Sequence, residues 1–229
     1  MKSKHWDTTG QSTIEYALLL SLAIVAVILG LRAMGVSTQD VYCRASSILG
    51  SDASSCTHYF EDDFSDLDAW DVVRGDWRLE NGQLCGGPGE GRIFTDVEAD
   101  DYVINIDSAA LFKGNGYGVF FRVTNTPKFN GYSFQFDPGF RKGAFIFRKW
   151  VRGRELWPPF AIARARGYDW WNTPRQVQLV IQGDTFTVYI DGVSVLSASD
   201  DTYSTGGIGL RTWNGTTACF DDLSVEPVP

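Results

Sequence analysis

Residues 14–31 form an almost continuous apolar run, interrupted by Glu15, Ser21 and Gly30. With its flanks the run reaches roughly 20 residues, enough for a helix to cross the hydrocarbon of a bilayer. Lys2 and Lys4 precede it, which favours a cytoplasmic amino terminus and an exported remainder, and Arg32 opposes that bias only weakly. A cleavable secretory signal fits poorly, because the apolar run is long and no Ala-x-Ala-like site ends it. A plain membrane anchor fits the length but leaves Glu15 unexplained, since a carboxylate in an apolar helix is costly without a partner.

The stretch from Gly10 through Gln11, Glu15 and Tyr16 to Leu20 resembles the start of type IV pilin-like proteins. It is most similar to the short Flp pilins of tight-adherence (Tad) systems, with comparable starts in archaeal pilins. The resemblance implies a prepilin peptidase cutting between Gly10 and Gln11, with the helix kept on the mature chain as the packing core of a filament. Glu15 then becomes the fifth mature residue and can pair with the new terminal amine of a neighbouring identical subunit. An unpaired buried carboxylate would be strongly unfavourable, so the pair checks register more than it adds stability. Val41, Ala45, Ile48 and Leu49 recur at helical spacing, in keeping with the amphipathic tail of such pilins. The similarity covers roughly residues 10–50, and the following 180 or so residues depart from it.

The remainder has the signature of a different domain. A short polar linker, residues 51–57, carries turn chemistry. Strand signals then follow at residues 103–108, 117–123, 132–136, 144–148, 176–181, 185–190 and 193–196, with Asp191-Gly192 marking a tight hairpin. No long amphipathic helix is evident after residue 57. About a dozen short strands without helices imply an antiparallel sandwich or barrel. The openings Asp62-Asp63-Phe64-Ser65, Trp70, Gly75-Asp76-Trp77 and Asn81-Gly82-Gln83-Leu84, with the closing runs 206–213 and 220–225, resemble concanavalin-like and laminin-G-like jelly rolls. The expected fold is therefore a long N-terminal α-helix plus an all-β antiparallel jelly-roll sandwich. Its divisions are a leader (1–10), a transmembrane and assembly helix (11–50), a linker (51–57) and the jelly roll (58–229).

All four cysteines, Cys43, Cys56, Cys85 and Cys219, follow the apolar run. An even number on an exported face reads as two disulfides. Sequence does not fix their pairing; the favoured one joins Cys43 to Cys56, near in the chain, and Cys85 to Cys219, an early strand to the last.

Chemistry is sparsely signalled. The histidines are His5 and His58 only, too few for a triad or a zinc site. The Glu-x-Asp-x-x-Glu run usual in hydrolases of this fold is missing; the acidic stretch 96–101 reads as a solvated turn. No catalytic residue is expected, and no cofactor is required. In some related jelly rolls a structural calcium sits where first and last strands meet; Asp63, Asp221 and Asp222 are the candidates, against the plainer reading of strand-end turn residues.

A binding role is better signalled. The formal net charge is −8, yet residues 141–166 gather eight arginines and lysines opposed only by Glu155, with aromatics interleaved. Aromatic faces suit sugar rings, and guanidinium groups suit carboxylates or sulfates. The candidate ligand face is Arg148, Trp150, Trp157, Trp170, Trp171, Arg211 and Trp213, with an anionic polysaccharide as partner. Strand alternation should send half of these aromatics into the core, and the basic side chains could equally coat a strand or meet the next subunit. Nucleic acid is the least favoured partner, though aromatic–basic interleaving suits single strands. The expected role is a pilin subunit displaying an adhesive β-sandwich. It would be membrane-inserted as a precursor, in the inner or plasma membrane, and extracellular once assembled. The alternative is a membrane-anchored carbohydrate-binding or carbohydrate-active surface protein that does not polymerise.

Overall fold

Alternation of large apolar residues with smaller or polar ones builds two antiparallel sheets, each hydrophobic on the face it turns to the other. The structure, a computed structural model, describes residues 58–229 apart from Glu98, Asn125, Asn214 and Pro229. The expectations for Gly10, Gln11, Glu15, Tyr16, Cys43 and Cys56, and for the long N-terminal helix, lie outside the described residues. Among the described residues there is no helix and hence none long and apolar enough to cross a membrane.

The described strands run in chain order as β1 (Phe60–Asp62), β2 (Asp71–Arg74), β3 (Trp77–Glu80), β4 (Gln83–Gly86), β5 (Gly91–Thr95) and β6 (Tyr102–Lys113). There follow β7 (Tyr117–Thr124), β8 (Asn130–Asp137), β9 (Ala144–Val151), β10 (Arg154–Glu155) and β11 (Ala161–Arg164). The last five are β12 (Arg175–Gln182), β13 (Thr185–Ile190), β14 (Val193–Ser199), β15 (Gly207–Thr212) and β16 (Thr217–Glu226). One sheet has the order β14-β13-β12-β6-β16-β4-β3, with β1 also on β16; the other has the order β10-β9-β8-β7-β15-β5-β2, with β11 also on β9. This is the expected all-β sandwich.

Between the sheets lies one core. The first sheet gives Tyr102, Ile104, Ile106, Leu179, Ile181, Phe186, Val188, Phe220 and Val225; the second gives Val119, Phe121, Tyr132, Phe134, Phe136, Phe145, Phe147, Ile208 and Leu210. Burying a large apolar side chain contributes about 1.5–3 kcal/mol, so this layer holds the sheets face to face. The second sheet carries a further cluster on its outer face, where Phe94, Phe120, Phe129 and Trp150 pack together, Phe129 arriving from the loop between β7 and β8. Outward-facing alternate positions are usually polar. Here Arg92 lies over the aromatic cluster, 5.7 Å from the Phe129 ring and 5.2 Å from the Trp150 ring.

The disulfide expectation holds for its described half. Cys85 on β4 and Cys219 on β16 are directly opposed and bridged. The Asp191-Gly192 expectation holds too: both residues have positive φ, 51° and 76°, as the two-residue turn between β13 and β14 requires.

Candidate functional site

The outer face of the second sheet near one end of the sandwich concentrates charge and aromatic surface. Directly opposed strand residues share a face. The register aligns Arg92 on β5 with Arg211 on β15, Arg211 with Gly118 on β7, and Gly118 with Gln135 on β8. Arg148 on β9 lies opposite Ser133 on the same outer side. The hairpin into β10 folds Glu155 back onto this row.

Glu155 is the hub. Its Oε2 accepts from Arg211 Nη1 at 2.6 Å and from Gln135 Nε2 at 3.1 Å. Its Oε1 is 2.7 Å from Arg148 Nε, and that same Nε–H also reaches Gln135 Oε1 at 3.1 Å. Arg211 extends the chain of charges to Glu90 at 3.7 Å; Glu90 in turn meets Arg92 at 2.6 Å and Arg74 at 3.0 Å. Burial alone would push the Glu90 carboxyl up, but Arg92, Arg211 and Arg74 around it hold it below its ordinary value.

Aromatic rings flank the two central guanidiniums. Arg211 lies 4.7 Å from the Trp150 ring and 5.1 Å from the Trp213 ring, while Arg148 lies 5.4 Å from Trp157 and 5.7 Å from Phe140. Such contacts fix a flexible cation while leaving its edge free for hydrogen bonds. Trp213 can lie this close because Gly116 has φ +124° and no side chain: a Cβ there would fall 2.0 Å from Phe136 O and 2.8 Å from the Trp213 ring. Trp157 is 67% exposed. At the edge, Asp137 accepts the Phe140 amide at 2.8 Å and so shapes the turn that presents Phe140. Burial pushes the Asp137 carboxyl up to about 6, against the opposing pull of that amide and of Arg148.

Of the seven expected ligand-face residues, the fold brings Arg148, Trp157, Arg211 and Trp213 together. Trp150 belongs to the same place but is buried beneath the guanidiniums, its Nε1–H donating to Ser133 Oγ at 2.9 Å. Trp170 is not on this face: it is buried in the core against Phe136, Phe145 and Tyr168. Trp171 is exposed and lies across the turn that follows β6, donating to Gly114 O at 3.0 Å. Sequence reasoning left out Gln135, Asp137, Phe140 and Glu90. It passed over Glu155 as the lone acid in a basic run, which was the available signal.

The structure describes local partners for the calcium candidates Asp63 and Asp221, and places Asp222 beside them. Among the described residues no group of three or more His, Cys, Asp or Glu is arranged to hold a metal ion. Asp63 accepts from its own turn, at the amide of Ser65, and Asp221 accepts from Gln83. These acceptors serve local structure, and burial, with added repulsion from Asp221, Asp107 and Asp63, raises the Asp222 carboxyl above its ordinary value.

A family profile, described as the 3-keto-alpha-glucoside-1,2-lyase-like domain, matches residues 57–226. The chain belongs to this family. A levanase of Bacillus subtilis (strain 168) is 26% identical to this lyase-like domain over 166 residues, covering 71% of the chain and 23% of the levanase. The chain thus spans about a quarter of that curated relative. Among solved structures, a carbohydrate-binding module (CBM66) of Bacillus subtilis is 25% identical and superimposes with a TM-score of 0.60, covering 69% of this chain and 95% of the module. A prokaryotic beta-1,3-1,4-glucanase (lichenase) from a mouse hindgut metagenome shares the fold at 16% identity, with a TM-score of 0.55 over 75% of this chain and all of its own. The lyase-like domain thus shares its β-sandwich fold with a carbohydrate-binding module and with a glucanase.

Proposed function

We propose that the domain binds polysaccharide at the loop end of its second sheet, with Trp157 and Trp213 as stacking platforms and the Arg148–Glu155–Arg211 network as the hydrogen-bonding floor. The observation that carries this reading is the pairing of a largely exposed Trp157 with charged groups already fixed on one another. Preorganised donors and acceptors suit sugar hydroxyls, and an aromatic ring suits the apolar face of a sugar. The similar module and levanase support a carbohydrate ligand.

Binding rather than catalysis is the role we assign. Glu155 is held as an acceptor by three donors, and Asp137 is engaged in its own turn, so neither carboxylate stands free for acid–base work. An anionic polysaccharide is the second choice of ligand. It is favoured by exposed Arg141, Lys142, Arg152 and Arg154 beside the site, and disfavoured because Arg148 and Arg211 already meet Glu155.

The test is Trp157→Ala on a polysaccharide array followed by calorimetry. Because the ring is exposed, stability should be unchanged within about 0.5 kcal/mol. Affinity should fall about tenfold or more, as for an aromatic anchor. Wild-type affinity in the variant would overturn the assignment.

A second reading concerns what carries the domain. Glu15 within an apolar run, five residues after Gly10, favours a pilin-like assembly helix, which would place the sandwich on an extracellular filament of identical subunits. Terminal sequencing of the mature chain and sedimentation decide it. The expected outcome is a start at Gln11 and filaments that Glu15→Ala abolishes; filaments from that variant would end this reading.

A further inference from the structure

The turn between β6 and β7, Gly114-Asn115-Gly116, crosses from the first sheet to the second at the end where the site lies. One flank of this turn carries Trp213, whose ring abuts Gly116. The other carries Trp171, whose indole N–H is bonded to Gly114 O at 3.0 Å and whose ring is 43% exposed. One residue, Asn115, lies between these backbone anchor points, a reach of about 7 Å at most. Phe112, 46% exposed near the end of β6, follows Leu111, whose O accepts from the amide of Asn172 at 2.8 Å and so ties the Trp171 segment to this strand. On the near side, Asn115 abuts Gly139, where a Cβ would come within 2.9 Å of its side chain, and the next residue is Phe140, whose ring lies tilted 6.3 Å from that of Trp157. Five aromatics are therefore linked along this rim through the 114–116 turn and the segments that meet it: Trp157, Phe140, Trp213, Trp171 and Phe112.

Exposed large aromatics singly need no explanation. This series does, because the sequence places a core tryptophan, Trp170, beside an exposed one, Trp171, whose indole N–H is bonded to a turn. The turn itself has glycines at both ends, with φ of +93° and +124°, so the backbone stays low between the flanking rings.

We infer that the domain grips an extended stretch of a polysaccharide, running from the Trp157–Trp213 site over the 114–116 turn onto Trp171 and Phe112, rather than a single sugar at a chain end. This rests on the polysaccharide-binding reading above and specifies its substrate class: a linear chain of several sugar units. A chain lying over successive rings gains affinity with each unit until the last ring is covered, because the later contacts are made within one bound molecule.

Calorimetric titration with two length series, fructo-oligosaccharides and oligogalacturonates of two to eight units, tests it. The wild type should bind more tightly as length grows and then level off. Trp171→Ala should remove about five- to tenfold of affinity for the longest chains and leave the shortest binders unchanged, while Trp171→Phe, which keeps a ring but loses the indole N–H, should retain most of the gain. Trp157→Ala should weaken every length. An affinity independent of length, or a Trp171→Ala profile that coincides with the wild type, overturns the inference while a Trp157→Ala defect leaves the site standing. A Trp171→Ala loss equal at all lengths would also overturn it, as the mark of a supporting role. Silence of the wild type on both series and on the array removes the site and this inference with it.

Discussion

Arg122→Met is expected to lower the stability of the domain by about 3–5 kcal/mol. Arg122 is 2% exposed, yet its guanidinium is the donor to three backbone carbonyls: Tyr203 O at 3.0 Å, Asp100 O at 2.9 Å and Gly183 O at 2.8 Å. It also lies 3.6 Å from Asp101 and 5.3 Å from the Phe186 ring, and its own amide donates to Tyr102 Oη at 3.0 Å. Three loops from both sheets thus converge on one side chain. Methionine would replace the stem without the donors, leaving part-buried carbonyls unpaired, at about 1–3 kcal/mol for each group that water cannot reach. For a domain of this size such a loss lowers the melting temperature by roughly 10 °C. Arg122→Lys should recover only part of it, because an ammonium cannot span three carbonyls in one plane as a guanidinium does. Thermal melts of the three proteins check this; a methionine variant melting within about 2 °C of the parent would show that water replaces the hub at no cost.

Nothing in the sequence around Arg122 announces it. It sits in an aromatic strand, 117–123, and reads as one outward polar position. Its burial follows from a bulge, where the pairing of β7 with β8 skips from Phe121 to Thr124 and Arg122 takes φ of 50°. A bulge turns a side chain off the alternating pattern, so period-two reading fails at that residue.

The same physics separates what was legible in the site from what was not. Phe145 and Phe147 alternate on a regular strand, and their burial in the core could be read directly. Trp170 and Trp171 lie between β11 and β12, outside any strand, where adjacency gives no rule for which faces inward. Cys85 and Cys219 are paired because their strands are neighbours, a guess that sequence could only make from their places at the two ends of the domain. Glu155 acquired its meaning from Arg211, 56 residues away and four strands across the sheet. Long-range pairing of that kind is a property of the topology, and the composition of residues 141–166 showed only its basic half.

Glu155→Gln is expected to cost about 2–3 kcal/mol of stability and to report the charge of the ligand. Removing one partner of a buried ion pair typically costs about 3–5 kcal/mol, because the other charge stays behind. Here Arg148 and Arg211 are 7% and 12% exposed at the side chain while Glu155 is 26% exposed, so partial solvation lowers that figure. The amide can accept from one guanidinium only, and its NH2 would face Gln135 Nε2 or the other arginine. For a neutral sugar chain the consequence is a disordered floor and an affinity about tenfold weaker, with little dependence on salt. For a carboxylated chain the change would work the other way. Two guanidiniums released from Glu155 become available for bidentate pairing, and affinity would rise at low salt and fall away as salt is added. The neutral outcome is the one the geometry favours, since both arginines already have a carboxylate within 2.7 Å. Titration of the variant with fructo-oligosaccharides and oligogalacturonates at low and high salt distinguishes the two, and a gain confined to the galacturonates would reassign the ligand to the anionic class.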